Sequence, residues 1–191
     1  MEKPRNLFIK SDKILELKIT LNNIRPPIYR KIQVPDFYTF HQLHHLIQLA
    51  FEWENIHMYI FFDKDSEISA FEDDFSERQP GDAKKIKLKE RFKSLKDRLL
   101  YVYDFGDNWE HTVELEKVLD ADPSKRYPAC ISGQRNAPPE DVGGAFGFED
   151  FVEAMNDMKH PQHDDFIEWY GRFFDEMTTG QGILIAGQPN V

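Results

Sequence analysis

Three side chains around one predicted turn have residue types that bind metal ions. Asp104, Asp107 and His111 lie in YVYDFGDNWEH, an aromatic-rich segment that breaks at Gly106. Carboxylates and an imidazole can hold a divalent cation that activates water, which predicts a metal-dependent hydrolase or nuclease as one functional class. The spacing differs from tight ligand motifs such as HExxH or paired CxxC. A structural role is therefore favoured, in which Asp104 caps a turn formed by Asp107 and Asn108 and no cofactor is bound.

A second segment, YPACISGQRNAPPEDVGG (Tyr127–Gly144), is rich in proline and glycine and contains Cys130, the only cysteine of the chain. A single cysteine cannot form an internal disulfide, which is typical of proteins in a reducing compartment. A lone cysteine could act as a nucleophile with His57 or His111 as its base. A buried free cysteine is the more common outcome, and it is the one that we predict for Cys130.

The same segment places Arg135 near two acidic residues, Glu140 and Asp141. An arginine beside a glycine-rich loop that leads into a helix could bind an anion. The neighbouring carboxylates would repel phosphate, and the glycines do not have the spacing of a phosphate-binding fingerprint. We therefore expect an internal salt bridge that orders this loop.

The overall composition narrows the class of protein. The 191 residues include 24 Lys and Arg against 34 Asp and Glu, a formal net charge of −10. Affinity for nucleic acid without sequence preference comes from neutralising phosphates with basic side chains, so this balance disfavours a broad nucleic-acid interface. No segment has the apolar length of a signal peptide or a membrane span. The composition predicts a folded cytoplasmic protein with no membrane partner.

The apolar pattern predicts an α+β fold in a single domain, residues 1–191. Alternating apolar residues predict strands at 14–21, 28–34, 56–62, 98–105 and 109–118, in a mixed or antiparallel sheet. A capping box formed by Thr39 and Gln42 predicts a helix after the first two strands. Helical spacing at 148–155 and a helix-starting Pro161 predict two C-terminal helices. The acidic stretch 63–82 is expected to be a loop.

The turn between the last two predicted strands has typical hairpin residues. Gly106, Asp107 and Asn108 favour a tight turn. We expect Gly106 to have a positive φ, so that a β-branched residue there would destabilise the turn.

Three histidines fall on the first predicted helix. His41 and His45 lie opposite its apolar stripe and are predicted to be solvated, despite a four-residue spacing that would suit a metal. His44 lies at the edge of the stripe, where we predict a structural hydrogen bond.

Several motifs together resemble one family. PPIYRKIQVP, LHHLIQLAFEW, YVYDFGDNWEH, YPACISGQRNAPPEDVGG and HPQHDDFIEWYG are similar to the plasmid pRiA4b ORF-3-like family, over residues 14–175, with 178–191 as a tail. The resemblance implies a single α+β domain, a prokaryotic origin and a link to plasmids or mobile elements, but it implies no reaction. His57 matches a family histidine, whereas a second family histidine is Tyr59 in this chain. Relatives often carry further cysteines where this chain has Ala137 and Val142, which removes a cysteine-rich metal cluster.

Some members of this family are labelled as transposon resolvases, and the sequence argues against that chemistry. A serine recombinase needs a nucleophilic serine supported by arginines and usually a basic helix pair that binds DNA. Ser11 is the only early serine, and it lies in a charged stretch of an acidic chain. No tyrosine has the Arg and His cluster that a tyrosine recombinase would need.

The sequence therefore favours a non-enzymatic cytoplasmic module that binds a protein or peptide partner and needs no cofactor. The alternative is a hydrolase or nuclease that uses a divalent metal ion held by Asp104, Asp107 and His111, with Glu140 or Asp141 as a further candidate ligand. For the preferred class, the residues expected to form the binding surface are Tyr103, Asp104, Trp109, His111, Arg135, Glu140 and Asp141.

Overall fold

The computed structural model describes residues 13–64, 66–71 and 79–179 of the chain. Contacts between Cα atoms divide the chain into two compact units, residues 1–145 and 146–191. Within the described residues, no helix combines the length and the apolar character that crossing a membrane requires.

The larger unit is built on one open mixed sheet. Its described strands follow the order β5-β4-β3-β6-β7-β1-β2-β8, and every neighbouring pair is antiparallel except β4 and β5. The predicted α+β class and mixed sheet are confirmed. The strands are β1 (Lys13–Leu21), β2 (Ile28–Pro35), β3 (Tyr59–Asp63), β4 (Ser66–Ser69), β5 (Gly81–Asp82), β6 (Arg98–Tyr103), β7 (Trp109–Asp120) and β8 (Ala129–Gln134).

Helix α1 (Phe40–Phe51) follows the first two strands, as predicted. The Thr39 side chain accepts a hydrogen bond from the backbone N–H of Gln42, and the Gln42 side chain accepts one from the N–H of Thr39, which completes the capping box. The buried stripe of α1 includes Phe40, whose ring meets that of Phe61 on β3 at 5.1 Å between centroids. The helix therefore covers the sheet face on which Phe61 lies.

Strands β6 and β7 alternate between the two faces of this sheet. Tyr101 pairs with His111 and Tyr103 pairs with Trp109, and all four side chains are buried on the face that α1 covers. Successive residues of a strand point to opposite faces, so their neighbours lie on the other face. The outward residues include Leu100, Val102, Glu110 and Thr112.

The acidic stretch 63–82 is not simply a loop, which corrects the prediction. It contains β4 and β5, and residues 72–78 between them lie outside the described residues. Ile68 of β4 is fully buried and pairs with Phe61, so this strand contributes an apolar side chain to the core from a stretch rich in charged residues. Strand β3 also begins later than predicted, at Tyr59.

Strand β8 was not predicted, because it lies in the proline- and glycine-rich segment. It pairs with β2 at one edge of the described sheet. Cys130 lies on this strand and is exposed, so the prediction of a buried cysteine is wrong. An edge strand leaves its residues accessible even when their side chains are apolar.

The smaller unit contains most of α2 (Gly144–Asn156) and all of α3 (His163–Thr179). The two predicted C-terminal helices are thus present, although α3 begins at His163 and not at Pro161. The Phe151 ring contacts rings of α3, with centroid distances of 5.5 Å to Phe166 and 6.0 Å to Trp169. Of the predicted tail 178–191, the first two residues belong to α3 and the rest lie outside the described residues.

Candidate functional site

The inward face of the hairpin formed by β6 and β7 holds a buried tyrosine–carboxylate pair. The Tyr103 hydroxyl donates a hydrogen bond of 2.5 Å to Oε1 of Glu140. The same hydroxyl oxygen accepts from the backbone N–H groups of Ile56 and His57, at 3.2 and 3.4 Å. Oε2 of Glu140 accepts from the N–H of Glu54 at 2.6 Å. One side-chain pair thus fixes the backbone that precedes β3.

Burial changes the electrostatics of this pair. Glu140 is only 2% exposed, and removal from water raises the pKa of its carboxyl group, against the hydrogen bonds from Tyr103 and from the Glu54 backbone that lower it. Burial also raises the pKa of the Tyr103 phenol. The indole N–H of Trp53 donates to the carbonyl oxygen of Pro138, so a second bond ties the segment before Glu140 to the end of α1.

His44 lies in a separate hydrogen-bonded chain beneath α1. Its Nδ1 is 2.7 Å from the Tyr101 hydroxyl, and its Nε2 is 2.5 Å from Oδ1 of Asn55. The Tyr101 oxygen also accepts from Nε2 of Gln48, so the hydroxyl is free to donate to His44. The predicted structural hydrogen bond of His44 is confirmed. His41 departs from its predicted solvated position, since it is half-buried with Nδ1 2.7 Å from the Tyr59 hydroxyl.

The predicted metal trio does not assemble. His111 is 0% exposed, and its Nδ1 lies 3.0 Å from the Trp109 carbonyl oxygen, on the covered face of the sheet. Asp107 instead accepts a hydrogen bond from the backbone N–H of Gly143. The alternation of β7 turns the His111 imidazole inward, and the Asp107 carboxylate is bonded to Gly143, so neither side chain joins Asp104 in a metal site.

Asp104 lies beside two other potential metal ligands, which come from different segments of the chain. In the described part of the chain, the group of His, Cys, Asp and Glu side chains that could share a metal ion is His57, Asp104 and Asp141, whose ligand atoms lie within 4.8 Å of one another. Asp104 is 6% exposed, whereas the Asp141 side chain is 60% exposed. The sequence presented His57 as a possible base for Cys130 and as a match to a family histidine, but its separation along the chain from both aspartates gave no spacing signal that would group it with them.

The turn between β6 and β7 differs from the predicted hairpin. The residues with positive φ are Asp104 (55°) and Asn108 (53°), and Gly106 is not among them. The expectation of a positive φ at Gly106 is therefore wrong. The predicted capping role of Asp104 is confirmed, since its Oδ1 accepts from the N–H of Gly106 at 2.9 Å.

Most residues predicted to form a binding surface are in the core. Tyr103, Trp109 and His111 are at most 1% exposed, which corrects the prediction. Arg135 also lacks the predicted salt bridge, because its guanidinium donates to the carbonyl oxygen of Pro26. The Arg135 carbonyl oxygen in turn accepts from Arg30. Arg135 thus fastens the end of β8 to the turn before β2.

The opposite face of the same hairpin carries a cleft. Its volume is about 540 Å³, and the lining is mostly apolar with two carboxylates. The lining residues are Ile60, Phe62, Glu67, Phe71, Pro80, Leu100, Val102, Phe105, Asn108 and Glu110. Clefts of this size with a few polar groups are typical ligand sites.

The turn between β6 and β7, which contains Asp107, packs closely against the start of α2 at Gly144. This residue has φ +67°, and a Cβ atom there would lie far inside contact distance of the Asp107 carbonyl oxygen. We expect Gly144→Ala to lower the free energy of unfolding by about 1–3 kcal/mol or more, because a left-handed backbone and a backbone clash act together. Urea denaturation measures this change.

Gly171→Ala is the matched control for Gly144→Ala. Gly171 lies inside α3, and an added Cβ would meet no atom within 4 Å. Alanine has the higher helix propensity, so this variant should be as stable as the parent or more stable by up to about 1 kcal/mol. Equal effects of the two substitutions would contradict the close packing at Gly144.

Fold and family agree with the sequence motifs. The open mixed sheet with its helices defines a protein of the α+β class. The chain belongs to the plasmid pRiA4b ORF-3-like protein family, which matches residues 13–180. It is similar to the uncharacterized protein y4hQ of Sinorhizobium fredii, with 32% identity over 159 residues, 83% of this chain and 81% of that one. It is also similar to the crystal structure of MM3350, a protein of unknown function from Methanosarcina mazei Go1, with 38% identity and a TM-score of 0.77 over 83% of this chain and 90% of that one.

Proposed function

We propose that this protein is a non-enzymatic binding module that takes an extended peptide segment of a partner protein into the cleft on the outward face of β3, β4, β6 and β7. The observation that carries the proposal is the composition of that cleft. It has an apolar floor, and each of the two strands that border the floor, β4 and β7, carries a carboxylate. An apolar patch bordered by polar groups is the usual form of a protein-binding surface.

The floor of the cleft is a block of four paired side chains. Phe62 of β3 pairs with Leu100 of β6, and Ile60 pairs with Val102. Phe105 follows from the turn and is 45% exposed, while Phe62 is 36% exposed. Burying such rings against a partner removes apolar surface from water, which is the main favourable term in association.

The carboxylates indicate the charge of the partner. Glu67 on β4 pairs with Phe62, and Glu110 on β7 pairs with Val102, so the two acids flank the apolar block on opposite sides. Three strand spacings separate their strands, which places the backbones of the two residues about 15 Å apart across the sheet. An extended chain covers that distance in about four residues. The partner segment should therefore carry two basic side chains about four positions apart, with apolar side chains between them.

The lining gives no support for catalysis in this cleft. In the part of the lining that the structure describes, the titratable groups are Glu67 and Glu110, and the other residues are apolar or amide. A covalent mechanism needs a nucleophile with a base within hydrogen-bond reach. His44 on α1 and His111 on β7, the most buried imidazoles, both pack against the Tyr101 ring, on the side of the sheet opposite the cleft. These positions favour binding over chemistry.

A selection from a display library of random peptides tests this function. We expect enrichment of segments in which two Lys or Arg residues flank apolar residues, and we expect fluorescence anisotropy with a selected peptide to report 1:1 binding. Phe105→Ala should raise Kd by about tenfold or more, since it removes a half-exposed aromatic anchor. Glu110→Gln should raise Kd only about two- to fivefold, because an accessible ion pair contributes about 0.2–1 kcal/mol.

Two substitutions outside the cleft serve as controls. Leu95 is 62% exposed and Glu52 is exposed, and neither lines the cleft. Leu95→Ala and Glu52→Gln should leave Kd unchanged. Selection of acidic peptides, or a Phe105→Ala protein that binds as tightly as the parent, would refute the proposal.

A further inference from the structure

We propose that His57, Asp104 and Asp141 form a binding site for a first-row divalent cation, with Zn²⁺ as the best match. Their ligand atoms lie within 4.8 Å of one another, although the residues come from three separate segments of the chain. One imidazole and two carboxylates are a borderline donor set that suits Zn²⁺ or Mn²⁺ better than Ca²⁺.

The imidazole of His57 lies between the two carboxylates. Its Nδ1 is 3.6 Å from Oδ1 of Asp104, and its Nε2 is 3.2 Å from Oδ1 of Asp141. Although Asp141 is close, the buried Nε2 atom has no hydrogen-bond partner of acceptable geometry among the described residues. A buried ring nitrogen without a hydrogen bond is uncommon in folded proteins. A cation coordinated by this cluster would give that nitrogen an electrostatic partner.

The ligands are held by groups around them and do not depend on one another for position. The N–H of His57 is bonded to the Tyr103 hydroxyl, and the Asp104 carboxylate is bonded to the N–H of Gly106. Asp141 follows directly after Glu140, which Tyr103 fixes in the core. Outer groups that orient metal ligands in this way are a regular feature of metal sites.

The exposure of the cluster suits a cation that exchanges with solvent. Asp104 is buried, the side chain of His57 is 28% exposed and that of Asp141 is 60% exposed. A cation could therefore approach from the Asp141 side and keep water as its remaining ligand. Three protein ligands with one open position are a common zinc arrangement. The alternative that needs no metal is a protonated imidazole between two carboxylates.

Isothermal titration calorimetry with ZnCl₂ distinguishes the two, using the full chain without an affinity tag and after treatment with a chelator. We expect one Zn²⁺ per chain and a melting temperature that rises with zinc concentration. Asp141→Asn keeps the shape of an accessible side chain that tolerates the positive φ of this position, so the variant should fold normally. Loss of a direct ligand should weaken binding by more than the roughly 10–100-fold effect of an outer-sphere change. His57→Gln should have the same effect.

His45→Gln is the control for zinc bound elsewhere. Nε2 of His45 is 3.2 Å from Nε2 of His41, one helical turn apart on α1, and this pair could also hold zinc. Under the proposal, His45→Gln leaves one tight zinc per chain. Zinc binding that His45→Gln abolishes and Asp141→Asn does not would overturn the proposal, as would the absence of any binding heat with the parent protein.

Discussion

Acid should destabilise this protein steeply, well before most carboxylates are protonated. We expect the free energy of unfolding to fall as the pH drops below about 6.5, by up to about 2.7 kcal/mol per pH unit once both buried histidines contribute. The two groups are His44 and His111, and burial lowers the pKa of each to about 3 from an ordinary value of 6.5. Urea denaturation at about pH 7 and about pH 4.5 would measure the slope.

The sign of the effect follows from which state binds protons first. Above pH 6.5, the histidines are neutral in the folded and the unfolded chain, so their contribution to stability is complete. Between pH 6.5 and about pH 3, these histidines become protonated in the unfolded chain but stay neutral in the folded protein. Each histidine then removes about 1.4 kcal/mol per pH unit.

The structure explains why neither histidine accepts a second proton. Nε2 of His44 donates to the amide oxygen of Asn55, so in the neutral ring Nδ1 is the acceptor of the Tyr101 hydroxyl. Nδ1 of His111 donates to the Trp109 carbonyl, and its Nε2 is buried without a hydrogen-bond partner among the described residues. A proton on either acceptor nitrogen would place a charge in an apolar site.

Two buried carboxylates, Glu16 and Glu140, change the stability of the protein in acid in opposite directions. The pKa of Glu16 is lowered by hydrogen bonds from Lys117 and Gln33, which exceed the opposing effect of burial, so Glu16 adds to the loss of stability in acid. The pKa of Glu140 is raised by burial, so this group gains a proton in the folded state first and partly offsets the loss.

Variants separate the histidines from the carboxylates. His44→Gln and His111→Gln should each reduce the slope between about pH 6.5 and about pH 5 by about half, whatever their effect on stability at pH 7. A parent protein whose stability is flat between about pH 7 and about pH 5 would contradict the neutral, buried state of both histidines.

The elements that sequence patterns predicted best are those with local signals. The capping box at Thr39 and Gln42 marks the start of α1 by its own hydrogen bonds, and the alternation in 14–21 matches strand β1, whose apolar residues 15, 17, 19 and 21 share one buried face. Strand β8 has no such signal, because its exposed residues include Cys130 and Ile131 and it is held by pairing with β2. The spacing of residues within a short segment does not predict which distant segment it pairs with.

The site was misplaced for a related reason. The motif Tyr101–His111 was expected to contribute several residues to a binding surface, but period-two alternation alone does not tell which face of a strand is covered. The aromatic residues Tyr103 and Trp109 pack inward, and their neighbours Val102 and Glu110 line the cleft. In an aromatic-rich strand, the largest rings mark the core more often than the binding surface.

The candidate metal cluster shows the limit of spacing arguments. His57 lies before β3, Asp104 after β6 and Asp141 after β8, and only the strand order of the sheet brings the three segments together. Asp107 and His111 lie close to Asp104 along the chain, but Asp107 accepts a hydrogen bond from the backbone N–H of Gly143 and His111 is fully buried. Short spacing along the chain therefore did not bring these potential ligands together, whereas His57, 47 residues before Asp104 (104 − 57), lies beside it.

Tyr103→Phe should be among the most damaging single-atom changes in this protein. The lost hydroxyl leaves a carboxylate oxygen of Glu140 and the N–H groups of Ile56 and His57 without their partner. Because Glu140 is 2% exposed, water cannot easily replace the bond, and we expect a loss of about 2–4 kcal/mol in the free energy of unfolding. Urea denaturation with an unchanged m-value would show that only the folded state is affected.

The comparison that makes this test specific is Tyr29→Phe. The half-buried ring of Tyr29 lies under the ammonium group of Lys18, 4.8 Å from the ring centroid, and phenylalanine keeps that ring. Its replacement should cost no more than about 0.5 kcal/mol. A cycle with Glu140→Gln should also give a coupling energy of at least about 1 kcal/mol between positions 103 and 140, since both groups belong to one buried hydrogen bond. Equal costs for the two tyrosines, or additive effects in the cycle, would mean that the Tyr103–Glu140 pair does not hold the segment that positions His57.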